Sequence, residues 1–415
     1  MKEHGSTTSG EDRHYKVLLL AYTCDPDKGS ESGNSWQWAW NLASQGNEVW
    51  VLTHGSEGHD AVLRDRAGLK NLHFINVPIA NWITSTRGQA AAYLRYVAWQ
   101  RAALQWARDL HAKVSFDVAH HVSWGSLLWG SPLSRLPIPY IFGPVGGGQV
   151  APRGYRRYLG RRWFKELLRS GVVRWVLPIN PLTRRTAKAA HLVLAANTET
   201  LQLVERLGSS RGHLTADTAI PPGYADGASL RTLSNGETLR IVWVGRLFPI
   251  KGLRLALEAL SSTLDVPWHL TIVGGGRLGP KVPEWLAELE IENRVDWLGQ
   301  IGWQEVKKAY SQAHIMLFSS LRDSMGAQLF EALGIGLPVI ALNHHGARDM
   351  LPGNASIKAD VGTPEETIRN LSNAIRHVGK YPETVGEMSQ AALEFAAANT
   401  WEDKARQTYR LLQLP

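Results

Sequence analysis

Short apolar runs alternate with helix-periodic segments along nearly the whole chain, and the alternation starts twice. The first block holds KVLLLAY (16–22), EVWVLTH (48–54), LHFINVP (72–78), FDVAHHV (116–122), IPYIFGPVGGG (138–148) and HLVLAAN (191–197). The second holds LRIVWVG (239–245), WHLTIVG (268–274), VDWLG (295–299), HIMLFSS (314–320) and LPVIAL (337–342). Runs this short and this apolar read as strands buried on both faces of a parallel sheet, and the helical segments between them supply the crossovers. One helix is expected from about Gly33, with Trp36, Ala39, Trp40 and Ala43 on a face. A long one is expected from Gly88 to His111, and others near 252–262, 281–290, 303–312 and 326–334. The pattern predicts an α/β chain of two doubly wound, Rossmann-like domains, residues 15–222 and 223–399, parted near the turn IPPGY (Ile220 to Tyr224). Residues 1–14 read as a disordered leader. In such sheets ligands sit at the carboxyl ends of the strands, where the motifs below fall.

Composition narrows the setting. The single Cys24 among 415 residues excludes an internal disulfide and a cysteine-rich zinc site, in keeping with a reducing cytoplasm. No apolar run approaches the ~18 residues of a membrane span, and the first residues carry no signal-peptide apolar core, so a soluble or peripheral protein is expected. The net charge of +8 is unevenly spread: residues 1–222 hold 26 Lys and Arg against 16 Asp and Glu, residues 223–415 hold 19 against 21. From Arg153 to Lys188 there are 11 basic residues against Glu166 alone, interleaved with Trp163, Phe164, Val172, Val173 and Trp175. Cations and indoles in one stretch suit an anionic membrane surface. A polyanionic acceptor or RNA fits the charge as well, and a solvated helix with core aromatics fits the pattern. Of these, nucleic acid has the least support.

Two motifs of the second block carry chemistry. In GRLFPIKG a strand ends at Gly245, and Arg246 and Lys251 follow on the loop before a helix opened by Gly252. Two cations at a strand end suit a diphosphate, Arg as a chelating fork and Lys as a point charge. In RDSMGAQLFEALGIGLPVI, Ser324 is the expected N-cap of a helix starting near Gly326, and free N–H groups at Gly326 and Ala327 offer an anion site. Asp323 stands at the helix mouth. Glu331, about two turns further on, is a candidate partner for a ribose diol.

Together, GRxxxxKG and the later acid-x7-Glu stretch running into EAxxxGxPVI resemble the retaining nucleotide-sugar glycosyltransferases of family 4, which have the GT-B fold, two Rossmann-like domains facing across a cleft. The resemblance runs from Tyr15 over nearly the whole chain. It implies Gly245, Arg246 and Lys251 on the donor diphosphate, Glu331 on the ribose, and Ser324, Met325, Gly326 and Ala327 along the donor. The first acid is usually Glu; here it is Asp323, which the resemblance places near the hydroxyls of the donor sugar. KGSESGNSWQWAWNLASQGNEVWVLTH resembles the family's first glycine loop, so Gly29 and Ser30 are expected on the donor and Gly33 toward the acceptor. IFGPVGGGQ resembles a bacterial branch that builds surface polysaccharides and implies Gly146, Gly147, Gly148 and Gln149 on the acceptor side. His120 and His121 follow the strand after which the family often places a residue meeting the transferred sugar. Strand alternation turns one of the two inward, and His120 is favoured. In HHGARDM, Gly346 best matches a loop that closes on the donor, and His344 and His345 read as exposed loop residues. The helix 400–415 is assigned back to the first domain.

The DxD of Asp25-Pro26-Asp27 precedes a glycine loop in a doubly wound domain, so no metal is expected there. IVGGGRLG (272–279) lacks the context of a dinucleotide loop. The resemblance implies front-face attack with retention, catalytic roles for His120, His121, Arg246, Lys251 and Asp323, no cofactor, and a nucleotide-sugar donor. The acceptor is expected to be lipid-linked or a saccharide, with the protein cytoplasmic or peripheral on the inner membrane face through 153–188. A GT-B epimerase or phosphorylase, and a non-catalytic basic membrane- or RNA-binding protein, are the other readings.

Overall fold

The computed structural model describes residues 13–80 and 88–412. Most of the expected leader and the last three residues of the expected terminal helix lie outside them. Seven strands make one sheet: β1 (Lys16–Leu20), β2 (Glu48–Thr53), β3 (Leu72–Asn76), β4 (Val118–His121), β5 (Tyr140–Val145), β6 (Leu192–Ala195) and β7 (Gly212–Leu214). Six make another: β8 (Leu239–Val244), β9 (Trp268–Val273), β10 (Val295–Trp297), β11 (Ile315–Phe318), β12 (Val339–Leu342) and β13 (Ser356–Ala359). The orders are β3-β2-β1-β4-β5-β6-β7 and β10-β9-β8-β11-β12-β13. The registered pairs are parallel, with Leu19 opposite both Val51 and His120 in the first sheet and Ile241 opposite both Leu270 and Ile315 in the second. Both orders reverse beside their first strand, at β1/β4 and at β8/β11, which is where a doubly wound sheet opens a crevice for ligands.

The all-apolar runs are central strands because both of their faces are covered: Val17 to Leu20 and Ile315 to Leu317 have no exposed surface. Local signals set helix ends where they are strong. Thr363 caps the helix Pro364–Lys380 by accepting from the N–H of Glu366, whose carboxylate in turn accepts from the N–H of Thr363.

The chain divides into two compact units, one of Met1–Trp124, Ser131–Phe142 and Thr408–Pro415, the other of Gly125–Gly130 and Gly143–Gln407. These units part inside β5, whereas the two sheets part between β7 and β8, the interval that holds Ile220 to Tyr224. Tyr155 and Leu159 are buried in one core with Leu239, Leu255 and Ile375. The Tyr155 hydroxyl donates to the Gly362 carbonyl at 3.1 Å and lies 2.6 Å from Oγ1 of Thr367. The terminal helix Trp401–Arg410 contributes to both units. Its Lys404 reaches Oγ1 of Thr215 at 2.9 Å in the second, and its Tyr409 lies 3.3 Å from Nδ1 of His120 in the first.

Candidate active site

In the second unit the β8/β11 switch point is built by backbone fastening. After β8 the chain makes a 3-10 turn, Pro249–Lys251, and Gly252 takes the left-handed conformation, φ +69°, before the helix Leu253–Ser261. A Cβ on Gly252 would lie 2.1 Å from the Ser319 carbonyl oxygen, so only glycine fits. The Ser319 hydroxyl donates to the Gly252 carbonyl at 3.0 Å, and the N–H of Leu321 donates to Ile250 at 2.8 Å. The loop is thereby stitched to the end of β11, and Lys251 meets Asp323 in an ion pair. Arg246 is exposed, its guanidinium 5.1 Å from the centre of the Phe248 ring. Gly245 ends the strand, its N–H bonded to Val273. The glycines of IVGGGRLG form a tight turn, with Gly274 against the Gly245 carbonyl.

The helix after β11 is Ala327–Gly334. Its N-cap is Gly326, without a side-chain bond, and not Ser324 as expected. The Ser324 hydroxyl donates instead to Asp217 at 3.0 Å, a partner 107 residues away that outcompetes the local cap. The N–H of Leu329 donates to the Gly326 carbonyl at 2.9 Å, and no side chain caps the remaining first-turn N–H groups, a setting that suits an anion. Met325 is buried beneath this corner. Glu331 lies on the same helix, where burial raises its carboxyl against the donors Tyr310, at 3.2 Å, and Trp303.

The segment expected on the acceptor side packs onto this corner. A Cβ on Gly146 would lie 3.0 Å from that of Ser324, and one on Gly148 would strike the Glu199 carbonyl. Gln149 accepts from the N–H of Gly147 at 2.8 Å. Asn197, fully buried, caps the helix Thr198–Arg206 and also donates to the Ser324 carbonyl at 3.2 Å. Beside it, Glu199 pairs with Nδ1 of His345 at 3.2 Å and with Arg348 at 3.1 Å. Burial alone would raise the Glu199 carboxyl, but these two partners bring it down to about 2. His345 is thus no exposed loop residue: it is buried, and its Nε2 lies 2.9 Å from the Val150 carbonyl. Gly346 is needed here because a Cβ would meet the Ser324 carbonyl at 2.0 Å.

In the first unit, Gly29 is the N-cap of the helix Ser30–Ser44, which starts three residues before the expected Gly33, and no side chain caps it. Gly33 presses on the Lys28 carbonyl. Both histidines of β4 are fully buried, against different partners. His120 packs on Trp38, ring centres 4.9 Å apart, and lies beside Tyr409. His121 lies 2.9 Å from the Ser131 hydroxyl and 3.0 Å from that of Tyr96; burial lowers its imidazole to about 4, so the ring is neutral at neutral pH. Asp25 pairs with Lys28 at 2.9 Å and Asp27 with Arg66, so both acids of the DxD are engaged. Among the described residues no group of three or more His, Cys, Asp or Glu side chains is placed to hold a metal ion, and no helix is long and apolar enough to cross a membrane.

Sequence reading passed over Asn197, Glu199, Asp217, Arg348 and Trp124. The first four act through partners more than 100 residues away, which leaves no spacing to detect. Trp124, just past β4, has φ +50°, an outlier for a bulky residue, and is held there by edge contacts with Tyr22 at 5.3 Å and Tyr93 at 5.8 Å.

Residues 231–395 match the family described as Glycosyl transferases group 1. The amylovoran biosynthesis glycosyltransferase AmsK of Erwinia amylovora is 31% identical over 128 residues, which cover 29% of this chain and 31% of AmsK. The chain spans about a third of the length of the curated relatives it matches. Sucrose-phosphate synthase from Thermosynechococcus elongatus superposes with a TM-score of 0.66 at 17% identity, over 96% of this chain and 98% of that one. HepE of Anabaena, solved in complex with UDP and glucose, gives 0.62 at 16%, over 97% and 100%. At these identities the structural likeness establishes the fold, two parallel sheets in the GT-B arrangement.

Proposed function

From the premise that residues 231–395 form a glycosyl transferases group 1 domain in a GT-B fold, we propose that the protein is a retaining glycosyltransferase, like those of family 4. It moves a sugar from a nucleotide-diphosphate donor to a hydroxyl acceptor in bacterial polysaccharide or glycolipid assembly. The observation that carries the reading is the pair of cations at the β8/β11 switch point, Arg246 exposed and Lys251 held against Asp323, together with a helix N-terminus left without a side-chain cap. The UDP and glucose of the HepE structure support a nucleotide-sugar donor, and the name of AmsK supports polysaccharide assembly.

In this reading the acceptor O–H attacks the anomeric carbon on the face from which the diphosphate leaves. The C–O bond to the diphosphate breaks, the new glycosidic bond forms on the same side, and the acceptor proton passes to the leaving diphosphate oxygen. Arg246, Lys251 and the N–H groups of the helix Ala327–Gly334 meet the charge that develops there, and no metal or cofactor is assigned a part. Glu331 takes the ribose and Asp323 orients Lys251 beside the donor sugar. The buried His120 and His121 shape the first unit rather than touch the reacting atoms.

The stretch 153–188 carries the attachment to an anionic membrane on its cytoplasmic face. Phe164, Leu168, Trp175 and Ile179 are 66 to 73% exposed among Arg161, Lys165 and Arg174, an apolar and cationic surface of the kind that settles at an interface. A thermal-shift screen with UDP-, GDP-, ADP- and TDP-sugars tests the core of the reading. Stabilisation by one of them, followed by a product of unchanged anomeric configuration, is expected. No stabilisation by any, or an inverted product, sinks it.

A further inference from the structure

The basic stretch does more than present a surface: it lines an open cavity of about 640 Å³ in the second unit. That is the size range of small-molecule sites, ~300–1,000 Å³. One wall is apolar, from Trp163, Val173 and Trp175. Three arginines, Arg153, Arg174 and Arg206, line the same space from three separate segments, and none of them has an ion pair with a carboxylate among the described residues. The one carboxylate in the lining, Glu166, is already neutralised. It is buried and held by both arms of Arg322, Nε at 3.0 Å and a terminal nitrogen at 3.2 Å. The cavity therefore offers unspent positive charge beside an indole wall.

The backbone around it is irregular. The helix Trp163–Gly171 continues as a π-helical stretch, Val172–Val176, and then a 3-10 turn, Leu177–Ile179. π-Helical turns are rare and gather at functional sites, because they shift side chains off the α-helical stripe. Here the irregular stretch carries both the cavity-lining Arg174 and Trp175 and the exposed Val176 and Ile179.

We propose that this cavity binds the phosphate head of a single-chain lipid phosphate, with the hydrocarbon chain running out over Trp175, Val176 and Ile179. Guanidinium groups are the preferred partners of phosphate oxygens, and the apolar wall takes the first carbons of the chain. A free phosphate would use the arginines and leave the indoles idle. An uncharged lipid would use the indoles and leave the three arginines unmatched. That the bound lipid carries the acceptor hydroxyl rests on the glycosyltransferase reading; that it binds here does not. Arg322, which clamps the cavity wall through Glu166, precedes Asp323 of the Lys251 pair, so the pocket and the donor loop share one fixed contact.

The test is calorimetric titration of the full chain with farnesyl phosphate, with farnesol and inorganic phosphate as the other arms, on the native protein and on the double variant Arg153→Gln, Arg206→Gln. Both positions are exposed, so the variant is expected to keep its melting temperature. Farnesyl phosphate is expected to bind at least tenfold more tightly than either control and to lose at least tenfold in the variant. Equal binding of inorganic phosphate would reduce the site to an anion hole, and equal binding of farnesol to a greasy patch; either result overturns the proposal. So does an affinity that the variant leaves unchanged, which would put the lipid on the outer surface. Because the readout is binding, it is independent of the nucleotide-sugar screen, and one can fail without the other.

Discussion

Lys251 and Asp323, 72 residues apart in the chain, form an ion pair at the switch point of the second sheet, with their side chains only 12% and 21% exposed. The pair fixes the ammonium at the end of β8, where a diphosphate would need it. Its value to the site is positional. Lys251→Ala and Arg246→Ala are each expected to lower transfer on the order of 10²–10³-fold, with melting temperatures close to native. Asp323→Asn should lower turnover more than it weakens nucleotide binding, because Lys251 is freed but not removed. Near-native turnover in all three would separate this loop from the chemistry.

The glycine after Lys251 gives a purely conformational prediction. Gly252→Ala places a methyl group against the Ser319 carbonyl in a left-handed backbone, and urea denaturation should show a loss of about 2–4 kcal/mol. Gly58 has a similar φ, +76°, but open space around its Cβ position, so Gly58→Ala should cost only ~1 kcal/mol. Equal losses at the two sites would mean that the close approach to β11 has no energetic weight.

Glu199 predicts an acid limb. Its folded carboxyl lies at about 2, below the ordinary 4.5, because His345 and Arg348 face it from the helix His345–Met350. A depressed carboxyl stabilises the fold fully above its unfolded value and loses that contribution as the pH falls through the folded one. The melting-temperature gap between native protein and Glu199→Gln should therefore shrink as the pH falls below about 4.5. A gap independent of pH would show that the pairing carries no proton linkage.

Glu166 and Arg322 form a largely buried pair, the carboxylate side chain 9% exposed. Arg322→Met strands that carboxylate and should destabilise by about 3–5 kcal/mol, whereas Glu166→Met combined with Arg322→Met should recover most of the loss. Additive losses in the double variant would point to packing rather than charge.

What the chain states by itself is periodic and local. Alternating strands and helices, read from runs such as Lys16 to Leu20 and Leu239 to Val244, determine an α/β chain with two parallel sheets, since burial on both faces demands continuous apolar runs. The turn around Lys251 and Gly252 is likewise legible, because its constraint lies in neighbouring residues. Tertiary structure alone decided what depends on distant partners. Tyr155, in the first block of the sequence, is buried with Leu255 and Ile375 of the second. Ser324 bonds Asp217 in place of its own helix, and His345, which looks like a polar loop residue, is buried against Glu199. His120 and His121 both lie in the core, because residues of α-helices and the chain terminus cover both faces of β4. A buried polar group must find a partner wherever the fold places one, and no spacing in the sequence announces where that will be.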